Sequence, residues 1–311
     1  MKILVTGGAG FIGSHVVEAY LAAGHEVAVV DDLSAGSKKN LPREVPFYLM
    51  NIGSPELAKV FEIEKPEAVN HHAAQISVTI SVREPVRDAA VNGLGLLNVL
   101  ECSRAAGVKK FIFISSGGAV YGEAGAERLT EDHPPAPVSP YAIHKLLGEH
   151  YLRFYGRQHG LEWTALRYSN VFGPRQNPLG EAGVVAIFIS KVLAGEIPVL
   201  NAFPEEPDGM GRDYVYVEDV ARANLLALDK GAGESVNIAA AREVRTRELL
   251  SAICRITGKE LKYSRGGPRP GDIRRSCLDN SKAARLLGWK PGFSLDEGLG
   301  RTITWFSGSH A

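Results

Sequence analysis

Thr6-Gly7-Gly8-Ala9-Gly10-Phe11-Ile12-Gly13-Ser14, TGGAGFIGS, follows directly on the apolar run at residues 2–5. A buried strand that ends in glycines and passes at once into a helix-like stretch (12–23) opens a strand–helix–strand unit. Two spacings fit: Gly8, Gly10 and Gly13 as G-x-G-x-x-G, or Gly7, Gly10 and Gly13 as G-x-x-G-x-x-G. Either gives a tight turn, close backbone approach and free N–H groups at a helix start, which together suit a diphosphate. Outward from this turn the same alternation continues. Further strands are predicted at 27–30, 47–50, 68–71, 111–114 and 163–167, with helices at 55–64, 86–106 and 141–159. Apolar strands alternating with helices predict a parallel sheet covered on both faces, a doubly wound α/β fold.

After Tyr168 the texture changes. Loop-like stretches at 172–183 and 201–212 alternate with helical patterns at 184–194, 246–257, 281–287 and 295–306. The expected organisation is a nucleotide-binding domain over 1–168 plus about 213–238. A smaller α/β substrate-binding lobe follows over about 169–212 plus 239–311. The final Ser-Gly-Ser-His-Ala is expected to fray.

Composition narrows the function. In 311 residues, 35 Lys and Arg balance 35 Asp and Glu, so no basic field exists for nucleic acid or a membrane surface. The odd set of three cysteines (Cys102, Cys254, Cys277) has no CxxC spacing, which argues against a disulfide framework or zinc site. No apolar run reaches the roughly 18 residues of a spanning helix. A cytoplasmic protein is expected, with no metal: His71 and His72 are strand neighbours that point to opposite faces.

The second strand ends in Asp31 and Asp32, a little under ~20 residues beyond the last glycine. A carboxylate there accepts ribose hydroxyls and repels a 2′-phosphate, which favours NAD over NADP, although Lys38 and Lys39 nearby leave room for NADP. Further on, Tyr141-Ala-Ile-His-Lys145 stacks a tyrosine and a lysine at i and i+4 on one helix face. Lowering a phenol from pKa 10 to 7 needs roughly 4 kcal/mol. A neighbouring ammonium and a positive nicotinamide ring are the expected sources.

With these motifs in hand, the chain resembles the extended short-chain dehydrogenase/reductases, in their nucleotide-sugar epimerase/dehydratase group. The carriers are TGGAGFIGS, VVDDL, NHHAAQ, SSGGAVYG, YAIHK, LRYSNVFGP, GRDYVYVEDVA and RPGD, in family order across nearly the whole chain. The resemblance implies a Rossmann-type domain with NAD on Gly7, Gly10, Phe11, Ile12, Gly13, Asp31 and Asp32. It puts Asn51 and Ile52 at the adenine and Ala73, Ala74 and Gln75 along the groove, with Asn92 in support. Ser115, Tyr141, Lys145 and Tyr168 would lie toward the nicotinamide. A UDP-sugar would meet Ser116, Gly117, Tyr141, Asn170, Arg212, Arg269, Asp272 and Ser276. Arginines offer forks for phosphate oxygens, and a carboxylate accepts ribose hydroxyls. The family usually forms homodimers through the helices near 86–106 and 141–159.

SSGGAVYG discriminates among reactions. Dehydratases and decarboxylases resembling this chain carry acids just before the VYG-like tripeptide, where Gly118 and Ala119 stand here. The expected reaction is therefore oxidation at C4 and return of hydride to the other face, the 4-epimerisation of a UDP-hexose. Ser276, a small residue, would also admit N-acetylated sugars. Two alternatives are a net 4-dehydrogenase or ketoreductase and a non-catalytic NAD-binding regulator. Gly117 stands where such epimerases carry Ser or Thr, so either the turn re-aims Ser116, or water substitutes, or Tyr141 meets the sugar hydroxyl directly.

Overall fold

The computed structural model describes residues 1–123, 125, 127–178, 183–269 and 272–308. Residues 309–311 of the end expected to fray, and 270–271 of the RPGD motif, lie outside the described residues. Strands run β1 (Lys2–Thr6), β2 (Glu26–Asp31), β3 (Phe47–Leu49), β4 (Ala68–His71), β5 (Lys110–Ser116), β6 (Glu162–Tyr168) and β7 (Asn170–Phe172). They continue as β8 (Val199–Asn201), β9 (Gly211–Tyr216), β10 (Glu234–Ile238), β11 (Glu243–Arg245), β12 (Ser264–Gly266) and β13 (Arg275–Ser276).

Seven strands form one parallel sheet in the order β10-β6-β5-β4-β1-β2-β3. The chain winds outward from β1 to β3, then restarts at β4 on the other side of β1. Doubly wound sheets bind ligands at such a reversal, outside the carboxyl ends of the strands. The apolar runs are continuous because both faces are covered. Within β1, Ile3 and Val5 enter one core and Leu4 the other, as the two-residue period of a strand requires.

The helix expected over 86–106 is interrupted. Pro85–Asp88 and Leu96–Ala105 flank a π-helical stretch, Ala89–Gly95, the kind of local widening often found at functional sites. Gly95 lets this stretch close on Ile52, whose side chain would lie 2.8 Å from a Cβ there. Helices Val78–Arg83 and Val217–Ala227, and the single turn Gly117–Val120, are additional to the sequence expectation.

Beyond β6 a second sheet joins β11, β9 and β13, with β7 also on β9, while β8 and β12 form a separate pair. Helices Val184–Leu193, Thr246–Thr257 and Leu295–Gly308 share a third core with it. The helix Ser281–Leu287 does not follow its sequence neighbours into that core. Ala283, Leu287 and Trp289 pack with Val236 and Ile238 of β10 in the first core, and Trp289 Nε1 donates to the Asp219 carbonyl at 2.8 Å.

Candidate active site

The glycine turn lies at the sheet's reversal point. Gly7 has φ +70°, and a Cβ there would come within 2.5 Å of the Ala73 backbone nitrogen; at Gly13 a Cβ would lie 2.2 Å from the Gly7 carbonyl oxygen. Gly8 packs against Val29 instead. Gly7, which only the 7–10–13 spacing includes, is the glycine whose positive φ and close backbone approach the turn requires. The helix Phe11–Ala22 starts without a side-chain cap and without an acid in its first turn, so its leading N–H groups are presented to an anion. Ala73, Ala74 and Gln75 border this turn, with Ala73 N donating to the Thr6 carbonyl at 3.0 Å.

The two aspartates separate by role. Asp31 is buried, its carboxylate accepting from Ala9 N at 2.9 Å and Leu33 N at 2.8 Å, so it braces the turn from behind. Asp32 is exposed and accepts from Ser34 N and Asn51 Nδ2, both at 3.0 Å. Of the two carboxylates it is the one open to solvent. Lys38 lies over the Phe47 ring, 5.2 Å from its centroid, which commits its ammonium elsewhere. This open turn, cradle and outward carboxylate fit an NAD molecule.

Tyr141 and Lys145 lie on the long helix Pro140–His159, which Ser139 caps by accepting from Ala142 N at 3.2 Å. Lys145 Nζ donates to the Ile114 carbonyl at 2.8 Å and lies 5.7 Å from the Tyr141 ring centroid. Burial lowers Lys145 to a pKa of about 8, opposed by the Asp88 charge. Burial pushes the Tyr141 phenol up to about 12, and Ser116 works the other way.

Ser116 bears on the question Gly117 raised, because it is the side chain that favours the Tyr141 phenolate. Ser116 ends β5 at φ −134°, and the turn Gly117–Val120 begins immediately after it. The preceding Ser115 points into the core and donates to Glu149 Oε1 at 2.7 Å. At Gly117 a Cβ would lie 2.4 Å from Leu278 Cδ1, so a side chain would compete with that leucine for space.

In the second lobe, a Cβ on Gly118 would lie 3.6 Å from Asn170 Oδ1, which brings that amide to the same strip. Arg212 on β9 is held by the carbonyls of Gly211 (2.9 Å) and Ile273 (2.8 Å) and pairs in register with Ser276 of β13. Asp272 accepts from the Arg269 backbone nitrogen at 2.7 Å.

Three of the expected contact residues have partners within the chain. Ser115 donates its hydroxyl to Glu149. Tyr168 is 4 % exposed, with Asn224 Nδ2 donating to its hydroxyl at 2.6 Å inside the first core. Ile52 buries its side chain in the second core, leaving its neighbour Asn51 exposed. Asn92 exchanges hydrogen bonds with the Gln75 backbone at 2.9 Å each way. His71 is buried and His72 half-buried; desolvation holds both near pKa 3, His71 against Thr6 Oγ1 at 2.7 Å.

Sequence reasoning missed four side chains. Glu149 and Arg167 form a buried two-bond ion pair (2.9 and 2.7 Å), and Arg167 also donates to Tyr121 at 2.6 Å. Asp88 and His144 meet at 2.5 Å. The one available signal was Glu149 falling four residues after Lys145, on the same helix face. Among the described residues no cluster of His, Cys, Asp and Glu could hold a metal, and no helix is long and apolar enough to cross a membrane.

Comparison with known proteins agrees with this arrangement. The family model described as the NAD dependent epimerase/dehydratase family matches residues 3–239. A UDP-glucose 4-epimerase of Mycolicibacterium smegmatis is 43 % identical over 312 residues, covering 98 % of each chain. A crystal structure of UDP-glucose 4-epimerase from Thermotoga maritima with UDP-glucose superimposes with TM-score 0.96 at 49 % identity, covering all of both chains. The Thermus thermophilus UDP-glucose 4-epimerase in complex with NAD gives 0.95 at 48 %, covering 99 % of this chain and all of the other.

Proposed function

The chain belongs to the NAD dependent epimerase/dehydratase family, and from that premise we propose that it is an NAD-dependent UDP-hexose 4-epimerase that interconverts UDP-glucose and UDP-galactose. The observation that carries this is Tyr141 stacked with Lys145 on one helix face, with Ser116 favouring its phenolate, beside a strip whose next residues are Gly117, Gly118 and Ala119. The strip can host a sugar but has no acid with which to eliminate or decarboxylate.

Bound NAD supplies the acceptor and then the donor of the C4 hydride. Tyr141 takes the C4 hydroxyl proton as C4 is oxidised and gives it back as C4 is reduced on its other face. Ser116 steadies the phenolate through its hydrogen bond, and Lys145 keeps a positive charge beneath it. The carboxylate of Asp88 is fully buried. Arg212, Arg269 and Asp272 hold the UDP, Asn170 meets its diphosphate, and Gly117 and Ser276 leave room for the sugar to turn, N-acetylated sugars included.

Support for a homodimer comes from one face of the molecule. Ile143 and Phe154 on the catalytic helix are 50 % and 51 % exposed, and Val86 and Leu94 on the neighbouring helical run 82 % and 67 %. An apolar stripe of this size suits a second copy of the chain. Three buried free thiols suit a cytoplasmic location. We keep the two-unit division as part of this proposal, with the helix at 281–287 assigned to the nucleotide-binding unit on the packing of Ala283 and Leu287 against β10.

The test is to incubate the purified protein with UDP-glucose, then with UDP-GlcNAc, adding no NAD, and to follow the anomeric protons by NMR. Appearance of the C4 epimer without accumulation of reduced nicotinamide is expected. No conversion even with NAD added, or stoichiometric NADH formation, would overturn the proposal.

A further inference from the structure

Asp88 ends the helix Pro85–Asp88, and its carboxylate is 0 % exposed. Oδ1 accepts from Gln75 Nε2 at 2.7 Å and Asn92 Nδ2 at 3.0 Å, while Oδ2 meets His144 Nδ1 at 2.5 Å. These partners come from three places: the segment bordering the glycine turn, the π-helical stretch, and the catalytic helix between Tyr141 and Lys145. The His144 ring lies over Gly93, where a Cβ would be 3.6 Å from its Cδ2.

A buried carboxylate persists only where hydrogen bonds and cations compensate its desolvation. The charged or titratable groups on the elements around it include Arg83, Glu84, Arg87, Tyr141, His144 and Lys145, with Glu149 and His150 further along the catalytic helix and His71 and His72 on the segment before Gln75. Arg83 and Arg87 are exposed and paired with Glu84 at 2.7 and 3.1 Å. The Asp88 charge therefore acts chiefly on His144, Lys145 and Tyr141, favouring ammonium on Lys145 and opposing phenolate on Tyr141.

We propose that Asp88 is a positioning residue of this reaction: it braces Gln75, Asn92 and His144 into one wall and sets the charge balance beneath Tyr141 and Lys145. The inference rests on the epimerase reading. Asp88→Asn keeps the shape and removes the charge. Phenolate on Tyr141 is then less opposed and ammonium on Lys145 less supported, so both should titrate at lower pH, by on the order of one unit. Both limbs of the pH–kcat profile should follow.

The measurement is tyrosinate absorbance of the NAD-loaded protein against pH, taken as the difference from Tyr141→Phe, in Asp88 and Asp88→Asn backgrounds, beside the pH–kcat profile of each. A downward shift of the Tyr141 midpoint and of both limbs is expected. An unmoved midpoint and profile, whatever happens to kcat or melting temperature, would leave Asp88 a structural residue and overturn the proposal. Asp88→Ser, smaller and uncharged, decides the same point where Asp88→Asn does not fold. His144→Gln retains the Asp88 charge, so its Tyr141 midpoint should stay in place while kcat falls several-fold; a shift as large as that of Asp88→Asn would assign the effect to His144 instead. Should the native protein fail to epimerise, the functional reading falls while the absorbance titration still decides the role of Asp88.

Discussion

The proton-handling unit is two residues held at one point by different constraints: Ser116 by the end of a strand and Tyr141 by the start of a helix. Ser116→Ala removes the hydrogen bond that favours the phenolate, so kcat should fall about 10²-fold. Because that bond lowers the Tyr141 pKa, its loss should move the acid limb of the pH–kcat profile to higher pH. Steady-state kinetics across pH checks both. Gly117→Ser should bring no gain in rate, since Ser116 already meets Tyr141. It should also cost about 1–3 kcal/mol by driving a Cβ into Leu278, read from denaturant unfolding. The tyrosine and lysine were legible as residues because i and i+4 on a helix must share a face. The serine was not, since a strand's alternation breaks where the chain turns, and only the turn's dihedral angles say which hydroxyl enters the groove. The bond from Asn224 to Tyr168 was hidden for a related reason: the motif fixes the place of Tyr168 on β6 but not the partner of its hydroxyl.

One helix and one turn carry most of the site. Pro140–His159 presents Tyr141, Lys145 and Glu149 toward β5, and Glu149 joins Ser115, Ser235 and Arg167 in a buried cluster. Glu149→Gln leaves Arg167 buried without its counter-charge, which should cost about 3–5 kcal/mol in unfolding free energy. Gly7→Ala places a side chain at φ +70° against the Ala73 backbone, so the purified variant should carry little NAD. The nucleotide released on denaturation, quantified by absorbance, measures this. The helix and turn were visible from periodicity and glycine spacing. The π-helical stretch was not, because its extra residue per turn serves a tertiary purpose: bringing Asn92 to Gln75 and Gly95 against Ile52.

At the scale of the molecule, Asp213 ties the second lobe together. From β9 it accepts from Ala240 N (2.9 Å), Ala241 N (3.0 Å) and Leu278 N (3.3 Å), beside the Arg212 proposed to clamp the diphosphate. Asp213→Ala strands those donors in the interior, at about 1–3 kcal/mol for each one left unsatisfied. It should weaken UDP-sugar binding more than NAD retention, which calorimetry with UDP can separate. Leu94→Glu combined with Phe154→Glu should shift the chain to a monomer by light scattering while leaving it folded. By itself the sequence determined the winding of the sheet, the NAD turn and the Tyr141–Lys145 pair, because these depend on short-range periodicity, glycine geometry and helical spacing. Only the tertiary structure decided which aspartate faces outward, which serine meets the tyrosine and where the helix at 281–287 packs. It alone decided, too, that Asp88 sits under the catalytic pair. Each of these turns on contacts between segments far apart in the chain, and burial and hydrogen bonding there are set by the neighbours that folding brings together.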